Sequence, residues 1–484
     1  MKWCEIVNIF NQETTVDLDI TGVQYDSRKI RQGDLFVCMT GLAADGHNFA
    51  EKAVQDGAVA LVVEHSLALD VPQLVVADAR LALAAIAEAF FDYPGEKLRL
   101  LGVTGTNGKT TTTHLIKEIL DDYGVKAGLI GTNHILIGDK IIPSTHTTPE
   151  SLEISAYLGD MVAAGCKYGV MEVSSHGLKQ GRVSALDFCG AGFTNLTQDH
   201  LDFHKSFDDY LAAKQILFKN LGKKDKKAFG VINIDDKYAE KFAEVTSVPM
   251  VTYGLHENAD YCGSNIQITS AGTEFTLKRK NETFSVKTPL LGNFNVYNVL
   301  TTIAMLEMEG LPIEFILQSL AKVKQVRGRF EKVKSLYGPT VVVDYAHSPD
   351  GLQNIMNTAN AMKKGRLILV FGCGGDRDQG KRPKMGRIGG KAADFAIVTS
   401  DNPRTENPED IISMVEAGVK ESGGEYVVIV NRREAIKEAI AMANENDLVV
   451  IAGKGHEDYQ IIGTKKVHFD DFEEAEKALA LKNK

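Results

Sequence analysis

Residues 104–111 read Thr-Gly-Thr-Asn-Gly-Lys-Thr-Thr and follow the apolar run Leu98–Val103, so two glycines, a lysine and a row of threonines crowd into one turn. That combination suits a polyphosphate. Backbone N–H groups of Gly105, Thr106, Asn107 and Gly108 can curl around an anion, and the N-terminus of a following helix adds partial positive charge. Lys109 would reach the outer phosphates, the Thr110 hydroxyl would hold Mg2+, and Thr111 would complete the helix start. The general G-x-x-x-x-G-K-[ST] pattern puts its first glycine at position 103, which here is Val103, so this turn uses Gly105 with Gly108. ATP or GTP binding is the reading over a bare strand-turn-helix corner. The turn does not choose a reaction, because kinases, hydrolases and ligases all need the same positioning and charge stabilisation.

A second set of residues could work beside the phosphates. Glu172 ends the expected strand Tyr168–Val173 and His200 lies in the loop after Phe188–Thr194, which puts both at the carboxyl edge of one parallel sheet, where ligands bind. His200 and His204, with Asp202 between them, have i, i+4 spacing that would suit zinc on a helix. The helix is expected to begin only near Ser206, however, and His204 is expected at the surface. Lys214, on an amphipathic helix, would pass for a solvated charge.

These residues need a scaffold. At about 150 residues per domain, 484 residues suggest roughly three. Residues 1–95 show short strands at Asp34–Cys38, Ala60–Val63 and Gln73–Val76 and an Ala-rich helix from Arg80 to Tyr93 that Pro94-Gly95 should break. Residues 96–326 alternate apolar strands with helices, with a helix expected from Thr110 to Tyr123, the signature of a helix-covered parallel sheet. Between Thr252 and Pro289 the pattern turns to polar-apolar alternation, read as appended antiparallel strands, and a helix from Asn295 to Glu309 follows. Residues 327–484 form a third alternating series, with strands at Val341–Asp344, Leu367–Phe371, Phe395–Val398 and Leu448–Ile451. The fold class is α/β: a small N-terminal domain, a central P-loop ATPase-like domain and a Rossmann-like C-terminal domain.

Composition closes other routes. A net charge of −10 argues against binding nucleic acid. No run of about 18 apolar residues or signal-peptide pattern occurs, so a cytoplasmic protein without membrane insertion is expected. The six cysteines are scattered, with no C-x-x-C pair, and read as incidental thiols.

Thr104–Thr111 resembles the ATP site of the Mur ligases and their folylpolyglutamate synthetase relatives. So do Glu172-Val-Ser-Ser-His176, Asn195-Leu-Thr-Gln-Asp-His-Leu-Asp202, Tyr210-Leu-Ala-Ala-Lys214, Gly292-Asn-Phe-Asn-Val-Tyr-Asn298, Gly328-Arg-Phe-Glu331 and Asp344-Tyr-Ala-His-Ser-Pro349, in the family's order across the whole chain. The resemblance implies an ATP-dependent ligase that phosphorylates a carboxylate and lets an amine attack the acyl phosphate. A carboxylate and a triphosphate repel by roughly 4 kcal/mol per unit-charge pair at about 4 Å and an effective dielectric near 20. Cations must offset this. The resemblance implies that Thr110, Glu172, His200 and Lys214 hold magnesium, Lys214 as a carbamate formed from its neutral amine. It also puts Asn295 and Asn298 near the adenine, Arg329 near phosphates or ribose, and Asp344 and His347 against the nucleotide on domain closure. A structural salt bridge is the competing role for Arg329.

Within the family, Asp26-Ser-Arg28, Gly33–Val37 and Ala44-Asp-Gly-His47 resemble the UDP-binding domain of the diaminopimelate-adding subgroup, with Ser27 carried over. Thr147, Thr148, Ser174, Gln180 and Arg182 are placed by resemblance against a UDP-muramoyl-dipeptide, Arg182 as the anion partner. Helix capping is the competing role for Thr148 before Pro149. Asp401-Asn402-Pro403-Arg404 marks the diaminopimelate-adding enzymes, and Arg377, Gly453 and Glu457 complete the implied pocket. The chemistry is coherent, because a guanidinium fork matches the extra carboxylate that lysine lacks, and sites built on polar contacts reject analogues by roughly ten-thousand-fold. ATP, Mg2+, the UDP-dipeptide and meso-diaminopimelate are therefore the expected small molecules, and a monomer is expected. Lysine addition is the alternative within the family, and a non-ligating nucleotide-gated binding protein the alternative outside it.

Overall fold

The phosphate turn hangs from the interior of the largest sheet. The computed structural model describes every residue except 42–43, 201–202, 224–226, 270, 336–337 and 483–484. Its strand Arg99–Thr104 lies between Tyr168–Glu172 and Gly190–Phe193, parallel to both, in an eleven-stranded sheet. Alternate side chains enter opposite cores, as a pleated strand requires. Leu101 and Val103 pack with Leu115, Ile116 and Ile119 of the helix Lys109–Asp122, while Leu100 packs with Leu158 and Met161 of the helix Ser151–Ala163. Both faces are covered, so the central strands are buried apart from Arg99 at the start of the first and read as nearly continuous apolar runs.

The sheet's two edges are antiparallel. On one side Met250–Gly254 and Tyr261–Thr269 remain parallel, contrary to the antiparallel reading of that stretch, and only Gly272–Arg279 and Glu282–Thr288 reverse direction. On the other, His134–Ile137 and Lys140–Pro143 add a hairpin that the sequence reading did not find.

Four parallel strands, Gly22–Gln24, Asp34–Val37, Ala58–Val63 and Gln73–Val75, make the first sheet. The helix Ala79–Phe90 against it begins at Asp78, whose carboxylate accepts the N–H groups of Arg80 and Leu81. Pro94 does not break this helix. The helix ends at Phe90, Asp92 and Tyr93 turn left-handed, and Pro94 opens a separate short helix, Pro94–Lys97, at its favoured first position.

The third sheet runs in the order Glu331–Lys332, Thr340–Asp344, Leu448–Ala452, Leu367–Phe371, Phe395–Val398, Tyr426–Val428, parallel except for its first strand. Val342, Leu369 and Val450 fill one core, and Val341, Ile368 and Val449 fill the other. A separate antiparallel hairpin, Tyr459–Ile462 with Lys465–His468, follows the last parallel strand. Among the described residues no helix is long and apolar enough to cross a membrane.

Candidate active site

Gly105 and Gly108 set the shape of the turn. They take φ of 150° and 90°, and a Cβ would fall 1.9 Å from the Thr194 hydroxyl at the first and 2.4 Å from Asn298 Oδ1 at the second. No other residue fits so tight a path. Val103, standing where the general pattern has glycine, is a fully buried strand residue. Lys109 Nζ donates to the carbonyls of Gly105 and Thr106, both at 2.8 Å, and Lys214 Nζ reaches the Gly105 carbonyl from beneath at 2.7 Å.

Lys214 is 1% exposed. Burial, with the Lys109 ammonium nearby, holds its pKa well below the usual lysine value. The solvated-charge reading of this residue is therefore wrong: the helix Phe207–Lys219 turns it inward.

Glu172, fully buried, gathers oxygen and nitrogen donors. Its carboxylate accepts the Thr110 hydroxyl at 2.9 Å, the Thr132 hydroxyl at 2.9 Å and the Thr132 N–H at 2.8 Å. A carboxylate flanked by hydroxyl oxygens is a donor set that a hard divalent cation prefers. His200 stands at φ 55° beside Asp199, and burial lowers its pKa to the neutral ring. His204 is not at the surface. It is 2% exposed, with Nε2 2.9 Å from the Ser175 hydroxyl, and Asp202 lies outside the described residues. The histidines share no helix, because the next one starts at Phe207, and among the described residues no group of three or more His, Cys, Asp or Glu could hold a metal.

A cavity of about 580 Å³ opens over the turn, lined in part by Asn298, Arg329, Asp344 and His347. Arg329 Nη2 donates to the Thr110 hydroxyl at 2.8 Å, and its guanidinium lies over the Tyr345 ring. Asn295 does not line this cavity. Its amide donates to the Leu291 carbonyl and accepts from Asn298 Nδ2, so it orients Asn298 instead. Asp350, which the sequence reading missed, accepts from Asn107 Nδ2 and the Thr197 hydroxyl, both at 3.1 Å, and so ties the third sheet's first helix to the turn.

A larger cleft of about 1290 Å³ adjoins it. Thr147, Thr148, Ser174, Gln180 and Arg182 line one wall, and Arg377, Asp401, Asn402, Arg404, Gly453 and Glu457 another. Ser27, in a short helical turn of the first domain, lies outside both linings. Thr148 caps no helix: Glu150 holds that position, while the Thr148 hydroxyl donates to the Glu172 carbonyl and accepts the Ser174 N–H. Arg182 Nη2 pairs with Glu150 at 2.8 Å, although its Nε and Gln180 Oε1 are buried without a partner among the described residues.

Behind the opposite wall Lys454, fully buried, donates to Glu457 Oε2 at 3.0 Å and to Asn402 Oδ1 at 3.1 Å, and Asn402 Nδ2 donates to Glu457 at 2.8 Å. Arg404 Nη1 donates to the Gly375 carbonyl, and Arg377 Nη1 to the Asp376 carbonyl. Pro403 is absent from the cleft lining.

Three domains of one family match in order: the Mur ligase catalytic domain over residues 19–91, the Mur ligase middle domain over 103–306 and the Mur ligase glutamate ligase domain over 328–455. A protein of Geobacillus kaustophilus named UDP-N-acetylmuramoyl-L-alanyl-D-glutamate–2,6-diaminopimelate ligase is 47% identical over 456 residues, 94% of this chain and 93% of the relative. The chain belongs to the Mur ligase family. A ligase of the same name, numbered 1, from Clostridium acetobutylicum is 48% identical over 463 residues, covering 95% and 94% of the two chains. A solved structure of a ligase with that name superposes with a TM-score of 0.72 at 34% identity, covering 100% of both chains. MurF from Acinetobacter baumannii, at 19% identity and a TM-score of 0.66 over 93% of this chain and 95% of that one, shares the fold.

This Mur ligase is thus an ATP-dependent ligase, and its two clefts are where ligands of open parallel sheets collect, beyond the carboxyl ends of the strands. Two residues at the clefts, one lining them and one behind the wall, escaped the sequence reading although signals existed. Lys454 lies between Gly453 and Glu457, both singled out from the sequence. Thr132 follows the strand Ala127–Ile130 as Thr110 follows its own turn.

Proposed function

We propose that this enzyme joins meso-2,6-diaminopimelate to UDP-N-acetylmuramoyl-L-alanyl-D-glutamate, consuming ATP and releasing ADP and phosphate. One observation carries the reading: the two clefts share Thr132, Thr147, Asp199, His200, Tyr345 and His347 as lining. A carboxylate activated over the phosphate turn would therefore meet an amine delivered from the Arg404 wall.

In this reading the D-glutamyl side-chain carboxylate takes the γ-phosphoryl group of ATP, forming an acyl phosphate. The amine nitrogen then attacks its carbonyl, loses a proton, and phosphate departs from the tetrahedral intermediate. Lys109 swings from the Gly105 and Thr106 carbonyls to the outer phosphates. Arg329, Asp344 and His347 close over the nucleotide and exclude water from the acyl phosphate.

Thr110, Glu172, His200 and a carbamylated Lys214 would hold Mg2+, which supplies the positive charge that lets two anions approach. The depressed pKa of Lys214 supports the neutral amine that carbamylation requires. The partnerless Gln180 Oε1 and Arg182 Nε support a polar ligand on their wall, where we place the dipeptide with Thr147, Thr148 and Ser174. Ser27 would hold the UDP end. Arg404 and Arg377 would receive the distal carboxylate and Glu457 the distal ammonium, with Asp401, Asn402 and Gly453 shaping the pocket. The same reading makes this a monomeric cytoplasmic enzyme, working where ATP is available.

The decisive experiment offers the purified protein ATP, Mg2+, the UDP-dipeptide and an equimolar mixture of diaminopimelate and lysine, and weighs the product. A product heavier by one diaminopimelate less water is expected. A lysine adduct in comparable yield would overturn the specificity, and no adduct at all the whole proposal.

A further inference from the structure

Arg404 sits at φ 51°, in the left-handed region that side chains other than glycine rarely occupy. The hairpin Tyr459–Ile462 with Lys465–His468 holds it there. The Arg404 N–H donates to the Ile461 carbonyl at 3.1 Å, the Gly463 N–H donates to the Arg404 carbonyl at 2.7 Å, and Arg404 and Ile462 form an isolated parallel bridge. Two side chains complete the joint. Asn402 Oδ1 accepts the Ile461 N–H at 2.9 Å, and Gln460 Nε2 donates to the Asp401 carbonyl at 2.6 Å.

With the backbone pinned, the guanidinium is aimed across the pocket at the Gly375 carbonyl, 2.8 Å from Nη1. A Cβ on Gly374 would come within 2.9 Å of that nitrogen, so a larger residue there would push the guanidinium aside. Asn402 serves several partners at once, among them Lys454 and Glu457. Gln460 reaches the Asp401–Arg404 turn with one half-buried side chain and is the cleaner handle.

Resting on the substrate reading above, we propose that Gln460 is a positioning residue for amino-acid selection: it clamps the hairpin to the Asp401–Arg404 turn and so fixes the arginine fork that inspects the distal carboxylate. It touches no reacting atom. Its effect must pass through Arg404, and that is what a test can read.

Gln460→Ala should raise the diaminopimelate KM about tenfold, the scale of one lost hydrogen bond, with kcat and the KM values for ATP and UDP-dipeptide unchanged. Gln460→Glu, which keeps the shape but turns an acceptor toward the Asp401 carbonyl, should raise it further. In an Arg404→Ala background the Gln460→Ala change should add almost nothing, because residues acting through one contact are not additive. Wild-type diaminopimelate KM in both variants, independent multiplication of the two effects, or a parallel rise in all three KM values would each overturn the assignment. If the wild-type enzyme makes no diaminopimelate product, the functional reading falls and takes this inference with it. An active wild type with indifferent Gln460 variants sinks the inference alone.

Discussion

The phosphate turn and the Arg404 pocket are both glycine-rich, and both sit beyond the carboxyl ends of parallel strands, yet the chain assembles them differently. The turn is one contiguous segment, braced by Thr194, Asn195 and Asp350, with Lys109 and Lys214 resting on its carbonyls. The pocket is assembled from separate segments, around Gly375, Asp401–Arg404, Gly453–Glu457 and the Tyr459–His468 hairpin, and its side chains bond one another. A phosphate is the same in every substrate, so a backbone cradle suffices. Selecting one amine among similar ones needs side chains at fixed angles, and these need supports drawn from several places.

Breaking the first region should cost most. Lys109→Ala removes the cation beside the outer phosphates, and ligation should fall on the order of a thousandfold, the scale of losing one preorganised charge-stabilising donor. Phosphate release in the presence of all substrates reads this, and activity within tenfold of wild type would place the phosphate cradle elsewhere.

Asp344 belongs to the third sheet but faces the nucleotide cavity, so it tests how far the two regions are separate. Burial pushes its carboxyl up to about 6, against the pull of Arg329 and of the Phe330 and Ala346 N–H groups. Between about pH 4 and 6 the folded chain then holds a proton that the unfolded chain has released. Stability should accordingly decline as pH rises through that window, by roughly 3 kcal/mol at most, and level off above it. Asp344→Asn should flatten this slope in urea unfolding followed from pH 4 to 7, and identical slopes would show that Asp344 is not the group responsible.

What could be read in advance follows the same division. Gly105 to Thr111 is legible because the residues that make the site are neighbours in sequence, and the strands that carry them are continuous apolar runs. Lys214 was legible by resemblance alone, since nothing in the pattern Tyr-Leu-Ala-Ala-Lys says that the fifth residue faces inward. Capping, the competing role for Thr148, fails because tertiary bonds to Glu172 and Ser174 claim its hydroxyl. Gln460 and Asp350 carry no local signal. Each matters through a partner more than 50 positions away, and a single chain's periodicity holds no record of such a pairing. The His134–Pro143 hairpin escaped because its outer strand is largely exposed and lacks an apolar stripe.

Arg404→Ala should lower ligation less than Lys109→Ala does, and it isolates the pocket from the chemistry. A charged hydrogen bond to a carboxylate is worth about 1.5–3 kcal/mol, so the KM for diaminopimelate should rise roughly 10- to 100-fold while the KM for ATP stays put. Lysine has no carboxylate at that end and gains nothing from the guanidinium, so its turnover should hardly change, and the rates for the two amines should converge. The result separates two accounts of selection. If the rates converge, the fork chooses the substrate and the Lys454–Glu457–Asn402 cluster only supports it. If diaminopimelate stays strongly preferred without the arginine, another group on the same wall, Arg377, reads the distal carboxylate, because Glu457 would meet an ammonium in either amine.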